Sequence, residues 1–378
     1  MRNDQGGLWR LGVGSAALLL VLGAGLAGCN SSSSGSSNGN DIVNGDDDPD
    51  IGDNGNGGFD DSDVPDEGDV PDEPVLLDED NVQLAVSLVF GPRLWNSFTF
   101  LGDAVGVSLA ILEDPNRTAG EQFDCPGGGT ATIEASGDPE TGTFTMDAVY
   151  DECAFPDATE LAFGLEGITL DGTLDVVLTG DQANQTTTET EDVSLVLRYG
   201  NGVAVGLVGE RELVDAESDD GDNTVASFDV STTEDELGWA WAWNLEDGVV
   251  QSFGLIGGRY WGDAVRDGDG NLKSTTLKIE GRWYTSLLEG GYFDVETTKP
   301  LFAEVGGPAD LEAGTDEQPE RRDCWDSGVV VLKGQVDVDI GFGENALMGD
   351  QVTVSSPAGL TKQFPDCDAF SDWVSGNE

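Results

Sequence analysis

Residues 237–245 read Leu-Gly-Trp-Ala-Trp-Ala-Trp-Asn-Leu and hold three of the nine tryptophans of the 378-residue chain. Because successive side chains of a β-strand point to opposite faces, Trp239, Trp241 and Trp243 share one face and the small residues share the other. Soluble surfaces rarely expose this much aromatic area, which favours a core face with a back that another segment can approach closely. The alternative is a ligand platform on which the three rings stack sugars.

Similar alternating segments, separated by glycine, aspartate and asparagine, continue on both sides of this strand. Tight turns such as Gly200-Asn-Gly202 and Glu289-Gly-Gly291 are typical of hairpins, since glycine supplies positive φ. The pattern predicts a mainly β domain with an antiparallel β-sandwich or open barrel. The predicted strands are 130–135, 143–150, 168–178, 193–199, 203–213, 237–245, 249–256, 275–283, 292–298, 329–340 and 351–355.

One or two helices are expected to precede the strands and to pack on the sheet. Apolar residues recur at steps of three and four, which is the spacing of one helix face. A shorter helix is predicted for Val82 to Phe90, ending at Gly91-Pro92. The residues of the longer stripe are Leu94, Phe98, Leu101, Val105, Leu109 and Leu112.

Charge and composition exclude several functions. The chain has 74 Asp and Glu against 16 Lys and Arg, a formal net charge of −58, and no histidine. Without histidine there is no Ser-His-Asp or Cys-His catalysis and no His-ligated metal. Such an acidic chain is not expected to bind nucleic acid or anionic lipid surfaces. A glycoside hydrolase needs only two carboxylates, so that class stays open, although no pair is indicated.

Residues 30–80 differ from the rest of the chain, with 17 acidic residues, no basic residue and Phe59 as their only aromatic side chain. Such a composition predicts a disordered acidic linker. The domain organisation expected is a signal peptide at 1–28, a lipidated cysteine and linker at 29–80, and a β-rich domain at 81–378. Within that domain, residues 81–113 are expected to be helical and the strands to fall in 129–365.

The first 29 residues have the organisation of an export signal. Arg2 and Arg10 precede an uncharged stretch from Leu11 to Gly28, and the stretch ends in Leu26-Ala-Gly-Cys29. These four residues resemble the lipobox of bacterial lipoproteins. The resemblance implies cleavage before Cys29 and lipid attachment to its sulfur, and Asn30 in the next position implies sorting to the outer membrane. Which face of that membrane carries the protein is left open.

Four cysteines remain for an oxidising compartment, and we expect the pairs Cys125–Cys153 and Cys324–Cys367, which are neighbours in sequence. Cys125-Pro-Gly-Gly-Gly-Thr130 and strands of the Leu-x-Gly-x-Leu type resemble β-rich bacterial lipoproteins of unknown activity, and this resemblance carries no function with it.

Asp267, Asp269 and Asn271 alternate like the first ligands of a calcium loop. The sequence then departs from an EF-hand, because Leu272 and Lys278 stand where glycine and glutamate are needed. Calcium is therefore a possible ligand, and a metal-free hairpin is the alternative.

Together these features predict a non-enzymatic, membrane-anchored envelope lipoprotein whose disulfide-stapled β domain has a structural or binding role, with another envelope protein or a polysaccharide as its partner. The alternatives are a calcium-assisted adhesion or carbohydrate-binding module and, next, a two-carboxylate glycoside hydrolase.

Overall fold

The computed structural model describes residues 59, 63–65 and 69–376, with gaps at 91, 114–117, 139–141, 157–166, 182–184, 234–236, 245–249, 289–290, 305–324 and 347–350. Within these residues, all the named strands belong to one antiparallel sheet. The predicted mainly β architecture with helices packed on it is therefore confirmed. The predicted signal peptide, Cys29 and most of the predicted linker lie outside the described residues.

The helices are α1 (Val82–Phe90), α2 (Pro92–Glu113) and α3 (Cys367–Ser375). The strands are β1 (Phe123–Asp124), β2 (Thr130–Asp138), β3 (Thr143–Phe155), β4 (Ile168–Asp181), β5 (Thr186–Tyr199), β6 (Ala204–Asp220), β7 (Asn223–Thr232), β8 (Trp239–Asn244), β9 (Val250–Asp267), β10 (Leu272–Thr285), β11 (Phe293–Glu304), β12 (Ser327–Lys333), β13 (Val338–Gly343), β14 (Val352–Ser355) and β15 (Thr361–Phe364).

The sheet is a meander in which almost every strand pairs with its neighbours in the chain. The exception is β8, which pairs with β6 and β9, while β7 pairs with other parts of the same two strands. The branch lies at Gly209 of β6, whose φ is +138°. A Cβ atom on Gly209 would stand 2.2 Å from the carbonyl oxygen of Gly238, so this close approach requires glycine.

Helix α2 packs on the face of the sheet that carries the tryptophans. Phe98 and Leu101 are buried as the stripe predicted, but Val105, Leu109 and Leu112 are only half-buried. The buried face instead continues through Ala104, Val107, Ser108 and Ile111. The small side chains of Ala104 and Ser108 let the helix approach the sheet, and the Ser108 hydroxyl bonds to the Ala104 carbonyl and to the Tyr150 hydroxyl. Hydropathy alone does not rank such small residues as core.

An aromatic cluster joins the other two helices to the last strands. The ring of Phe90 in α1 lies 5.4 Å from Phe342 and 6.1 Å from Phe370 of α3, measured between centroids. Helix α3 was not predicted; Asp366 caps its start by accepting a hydrogen bond from Ala369 N at 2.8 Å.

Three strands were also missed and one was drawn too long. The missed strands are β1, β7 and β15, and the single strand predicted at 329–340 is two strands, β12 and β13, joined by a tight turn. That turn contains Gly334, where a Cβ atom would lie 2.5 Å from the carbonyl oxygen of Val75. The sequence gives no clear signal for this turn, because a single glycine interrupts a run rich in valine.

The last part of the predicted linker belongs to the folded domain. Pro74 forms a parallel bridge with Tyr292. Val75 N donates to the Tyr292 carbonyl at 2.7 Å, and Val75 O accepts from Gln335 N at 2.8 Å. Val75 and Leu77 are buried in the main core. These residues were predicted to be part of a disordered linker, and the prediction is wrong for them. It rested on the average composition of residues 30–80, which does not reveal a few apolar side chains that reach the core.

Phe59 and Val64, which lie nearer the N-terminus, cover the face of β8 opposite the tryptophans. They form a small second core with Ala240, Ala242 and neighbouring residues. A Cβ atom on Gly206 would lie 2.4 Å from a methyl group of Val64, so the outer face of the sheet is shaped to receive it. The expected close approach to the small back of this strand is therefore confirmed, and the approaching segment comes from this chain.

A matched pair of leucines tests whether residues 75–77 are part of the fold. Leu77 is 1% exposed and Leu76 is 46% exposed. We expect Leu77→Ala to lower the free energy of unfolding by about 2–5 kcal/mol, because it leaves a cavity in the core. Leu76→Ala should change it by less than about 0.5 kcal/mol. Equal effects in denaturant unfolding would show that this segment does not pack as described.

Candidate functional site

The three tryptophans do not form an exposed ligand platform. Trp239 and Trp241 have 0% of their surface exposed and Trp243 has 7%. The indole N–H of Trp239 donates to Ser97 Oγ of α2 at 3.1 Å, and Trp241 stacks on Phe253 with centroids 5.2 Å apart. The platform hypothesis for these residues is wrong, since the domain's own helix and strands occupy the space that a sugar would need.

Asp267, Asp269 and Asn271 lie at the exposed tip between β9 and β10. Asp267 Oδ1 accepts hydrogen bonds from the backbone N–H of Asn271 at 2.9 Å and of Asp269 at 3.0 Å. The backbone and side chain of Asn271 hold the pKa of Asp267 below its ordinary value. This carboxylate stabilises the turn, and its oxygens are turned toward donors of the protein.

The other acidic residues and cysteines are candidate metal ligands in the same way. Over the ranges that the structure describes, no group of three or more His, Cys, Asp or Glu residues is arranged to hold a metal ion.

The disulfide between Cys125 and Cys153 is confirmed, with the two Cα atoms 5.4 Å apart. It ties the start of β2 to the bulged part of β3. Cys367 is also disulfide-bonded. Its predicted partner, Cys324, lies outside the described residues, as does the proposed lipid-bearing Cys29.

The register of the sheet creates an acidic row that no sequence pattern indicated. Neighbouring strands β2 to β6 place one exposed carboxylate each in directly opposed positions. Adjacent members are therefore separated by roughly 5 Å between Cα atoms. None of them forms an ion pair with a described Lys or Arg side chain. The acidic row consists of Glu134, Asp147, Asp175, Asp192 and Glu210.

Repulsion within the acidic row contributes to a raised pKa at its central member, Asp175. Partial burial, and then the charges of Asp147 and Asp192, raise the pKa of Asp175. Like charges placed directly opposite on a sheet destabilise it. The row therefore costs stability that a neutral surface would not, and it keeps this face strongly hydrated.

A second set of charges lies on the inner face of the same strands. The buried charge cluster consists of Glu189 and Glu191 of β5 with Arg211 and Asp215 of β6. Glu191 and Arg211 are direct cross-strand neighbours, only 3% and 4% exposed, and form a salt bridge. Removing one partner of such a pair leaves an uncompensated buried charge, which typically costs about 3–5 kcal/mol.

Aromatic rings of α2 and β8 enclose the guanidinium of this cluster. The Arg211 Cζ atom lies 4.4 Å from the Phe98 ring centroid and 5.5 Å from that of Trp239. Cation–π contacts of this kind are stronger when the cation is desolvated. Arg211 therefore connects the ion pair to the helix as well as to the sheet.

The two remaining carboxyls of the cluster hold protons more tightly than usual. Burial, followed by the charge of Glu191, raises the pKa of Glu189 to about 7, against a lowering effect of Arg211. Burial raises the pKa of Asp215 to about 6. A protonatable carboxyl beside an ionised one is the division of roles found in two-carboxylate enzymes.

Unlike the carboxyls of such an enzyme site, this cluster is not accessible to a substrate. The nearly complete burial of Glu191 and Arg211 leaves no room for a sugar between them. A depression lined by Ile111, Leu112, Phe123 and Ile133 lies elsewhere, and its volume is about 40 Å³. Pockets that bind small molecules are typically about 300–1,000 Å³.

Sequence reasoning missed both charged features for the same reason. The acidic row depends on the register of five strands, and the cluster on which face each strand turns inward. The charged positions of β5 and β6 looked like ordinary solvent-facing residues. One signal was available, because Arg211 shares a face of the predicted strand 203–213 with the apolar residues Val205, Leu207 and Leu213.

In the part of the chain with described structure, no helix has both the length and the apolar composition to cross a membrane.

Comparison with protein-family models, with curated proteins and with solved structures found no match to this chain.

Neutralising the centre of the acidic row should stabilise the domain. We expect Asp175→Asn to raise the free energy of unfolding by about 0.5–1 kcal/mol at low salt, because two like-charge contacts disappear. The gain should largely vanish in about 1 M NaCl, where the screening length falls to about 3 Å. Thermal unfolding at both salt concentrations measures it.

The matched control for this variant is Asp171→Asn on the same strand. The Asp171 carboxylate lies 3.9 Å from the Arg198 guanidinium, so its removal should give no gain. Equal stabilisation by both variants, or destabilisation by Asp175→Asn, would contradict repulsion along the row.

Proposed function

We propose that the protein is a lipid-anchored cell-envelope protein with a non-enzymatic, structural or partner-binding role. Its anchor would be a lipid on Cys29, and its location the outer membrane. The Leu26-Ala-Gly-Cys29 motif supports the anchor, and the Cys125–Cys153 disulfide fits export to an oxidising compartment.

The observation that carries the non-enzymatic role is the filled interior. Helix α2 covers Trp239 and the guanidinium of Arg211, and Trp241 packs against Phe253. Recognition of a partner would then use the solvent-facing side of the sheet. That side is acidic over β2 to β6, where the acidic row repels other anions and attracts cations.

The packing of Phe59, Val64, Val75 and Leu77 on the domain bears on how it would be held. The predicted linker would then be shortened from the 51 residues 30–80 to the 29 residues 30–58. A neutral coil spans about 30 Å at 29 residues and about 40 Å at 51 residues. The domain would therefore work closer to the membrane than the composition suggested.

Replacement of Cys29 tests the anchor. We expect the full-length protein expressed in a Gram-negative bacterium to incorporate labelled palmitate and to sediment with membranes. Cys29→Ala should lose both properties, whereas Ser31→Ala, two residues away, should keep them. Unchanged labelling and fractionation of Cys29→Ala would refute the proposal.

A further inference from the structure

We propose that the buried charge cluster makes the docking of α2 on the sheet proton-dependent: protons held by Glu189 and Asp215 tighten the contact, and their release loosens it. The domain would thereby respond to acidification near neutral pH. This inference is independent of the anchor and of any partner.

The cluster lies directly at the contact between helix and sheet. Phe98 of α2 covers the Arg211 guanidinium, and its neighbour Ser97 accepts the hydrogen bond of the Trp239 indole. Arg211 is therefore the cluster residue through which a change in the cluster would reach the first half of α2. The other end of the helix is held separately, by the bond between Ser108 and Tyr150.

The charges in the cluster do not balance when all groups are ionised. Three carboxylates then accompany one guanidinium, so the cluster carries a net charge of −2. Glu191 and Arg211 are buried, and Glu189 and Asp215 are half-buried. Two buried atoms, Arg211 Nη1 and Asp215 Oδ1, have no hydrogen-bond partner among the described residues. An unpaired buried charge is costly, and taking up a proton is the direct way to remove it.

Among the described side chains, the positions that face the cluster hold no other titratable group. The paired residues are Val176 and Leu178 on β4, and Phe228, Val230 and Thr232 on β7. Trp239 faces Arg211 from β8, and Phe98 faces it from α2. The acidic residue of α2 with a described side chain, Asp103, accepts the hydrogen bond of the Tyr199 hydroxyl at 2.9 Å. Within the described side chains, the charge balance therefore depends on the four cluster residues.

The direction of the pH effect follows from the raised proton affinities. The pKa of Glu189 is raised from 4.5 to about 7 and that of Asp215 from 3.8 to about 6 in the folded protein. Between these values and those of the unfolded chain, the folded state binds more protons than the unfolded state. Stability must then rise as the pH falls from about 8 to about 5, which is opposite to the effect of salt-bridged carboxylates.

Thermal unfolding between pH 5.5 and 8.0, in about 1 M NaCl to screen the exposed acids, tests the proposal. We expect the melting temperature of the wild-type chain to be higher at pH 5.5 by about 5 °C or more. Glu189→Gln should lose at least half of this difference, mainly through a higher melting temperature at pH 8.0. Glu212→Gln, an exposed neighbour of Arg211 on the outer face, removes the same charge and should keep the full difference.

Hydrogen exchange of the wild-type chain provides a second test that needs no variant. After correction for the intrinsic pH dependence of exchange, peptides from 92–113 should be more protected at pH 5.5 than at 8.0. Peptides from 338–355 should show no such difference. The proposal is overturned if both regions respond alike or neither responds, or if Glu189→Gln and Glu212→Gln have the same pH profile.

Discussion

The contact between helix α2 and strand β8 is the interaction on which the rest of the sheet depends. Three tryptophans on one strand present a large apolar face that must be covered. Ser97 and Phe98 of α2 cover Trp239, and Phe253 of β9 packs against the other two rings. Strand β8 also divides β6 and β9 into two paired regions, so the same residues set the branch in the sheet. The residues of β8 therefore both fill the core and determine the order of strands in the sheet.

The opposite side of that strand imposes a second requirement. Ala240 and Ala242 leave a shallow surface that Phe59 and Val64 fill from outside. Strand β8 is thus buried on both faces, which is why it contains only tryptophan and alanine at its centre. The segment that precedes the helices consequently belongs to the domain and contributes to its stability.

Repulsion between carboxylates opposes this packing. The outer face of β2 to β6 sets carboxylates side by side, and the inner face of β5 and β6 holds one buried and two half-buried carboxyls beside one arginine. Apolar burial around α2 must exceed this repulsion, and salt or protons would relieve it. Such an arrangement makes the stability of the fold sensitive to its ionic surroundings without any histidine.

Much of this architecture is predictable from local sequence patterns. The alternation in 237–245 identified a core strand, periodicity located α1 and α2, and cysteine spacing indicated the pair Cys125–Cys153. Strand β7 was hidden because its side chains are mostly small and half-buried, without a clear alternation. Helix α3 was missed because its nine residues include two aspartates and two serines, which weaken the helical signal.

The charged features were beyond prediction for a different reason. Whether Asp147 meets Asp175, and Asp175 meets Asp192, depends on the pairing of strands that are tens of residues apart. A shift of one residue in register would move each to the other face. Alternation along β5 places Glu191 on the inner face with Val193 and Leu195, but its pairing with Arg211 depends on the register of two strands, which no local pattern contains.

The central claim, that α2 and its surroundings enclose the tryptophan face, is tested most directly by fluorine NMR of protein labelled with 5-fluorotryptophan. Single Trp→Phe variants would assign the resonances of Trp239 and Trp241. We expect that these two resonances do not shift between H₂O and D₂O, whereas an exposed indole would. A solvent shift at Trp239 or Trp241 in the folded protein would show that the tryptophan face is open to water.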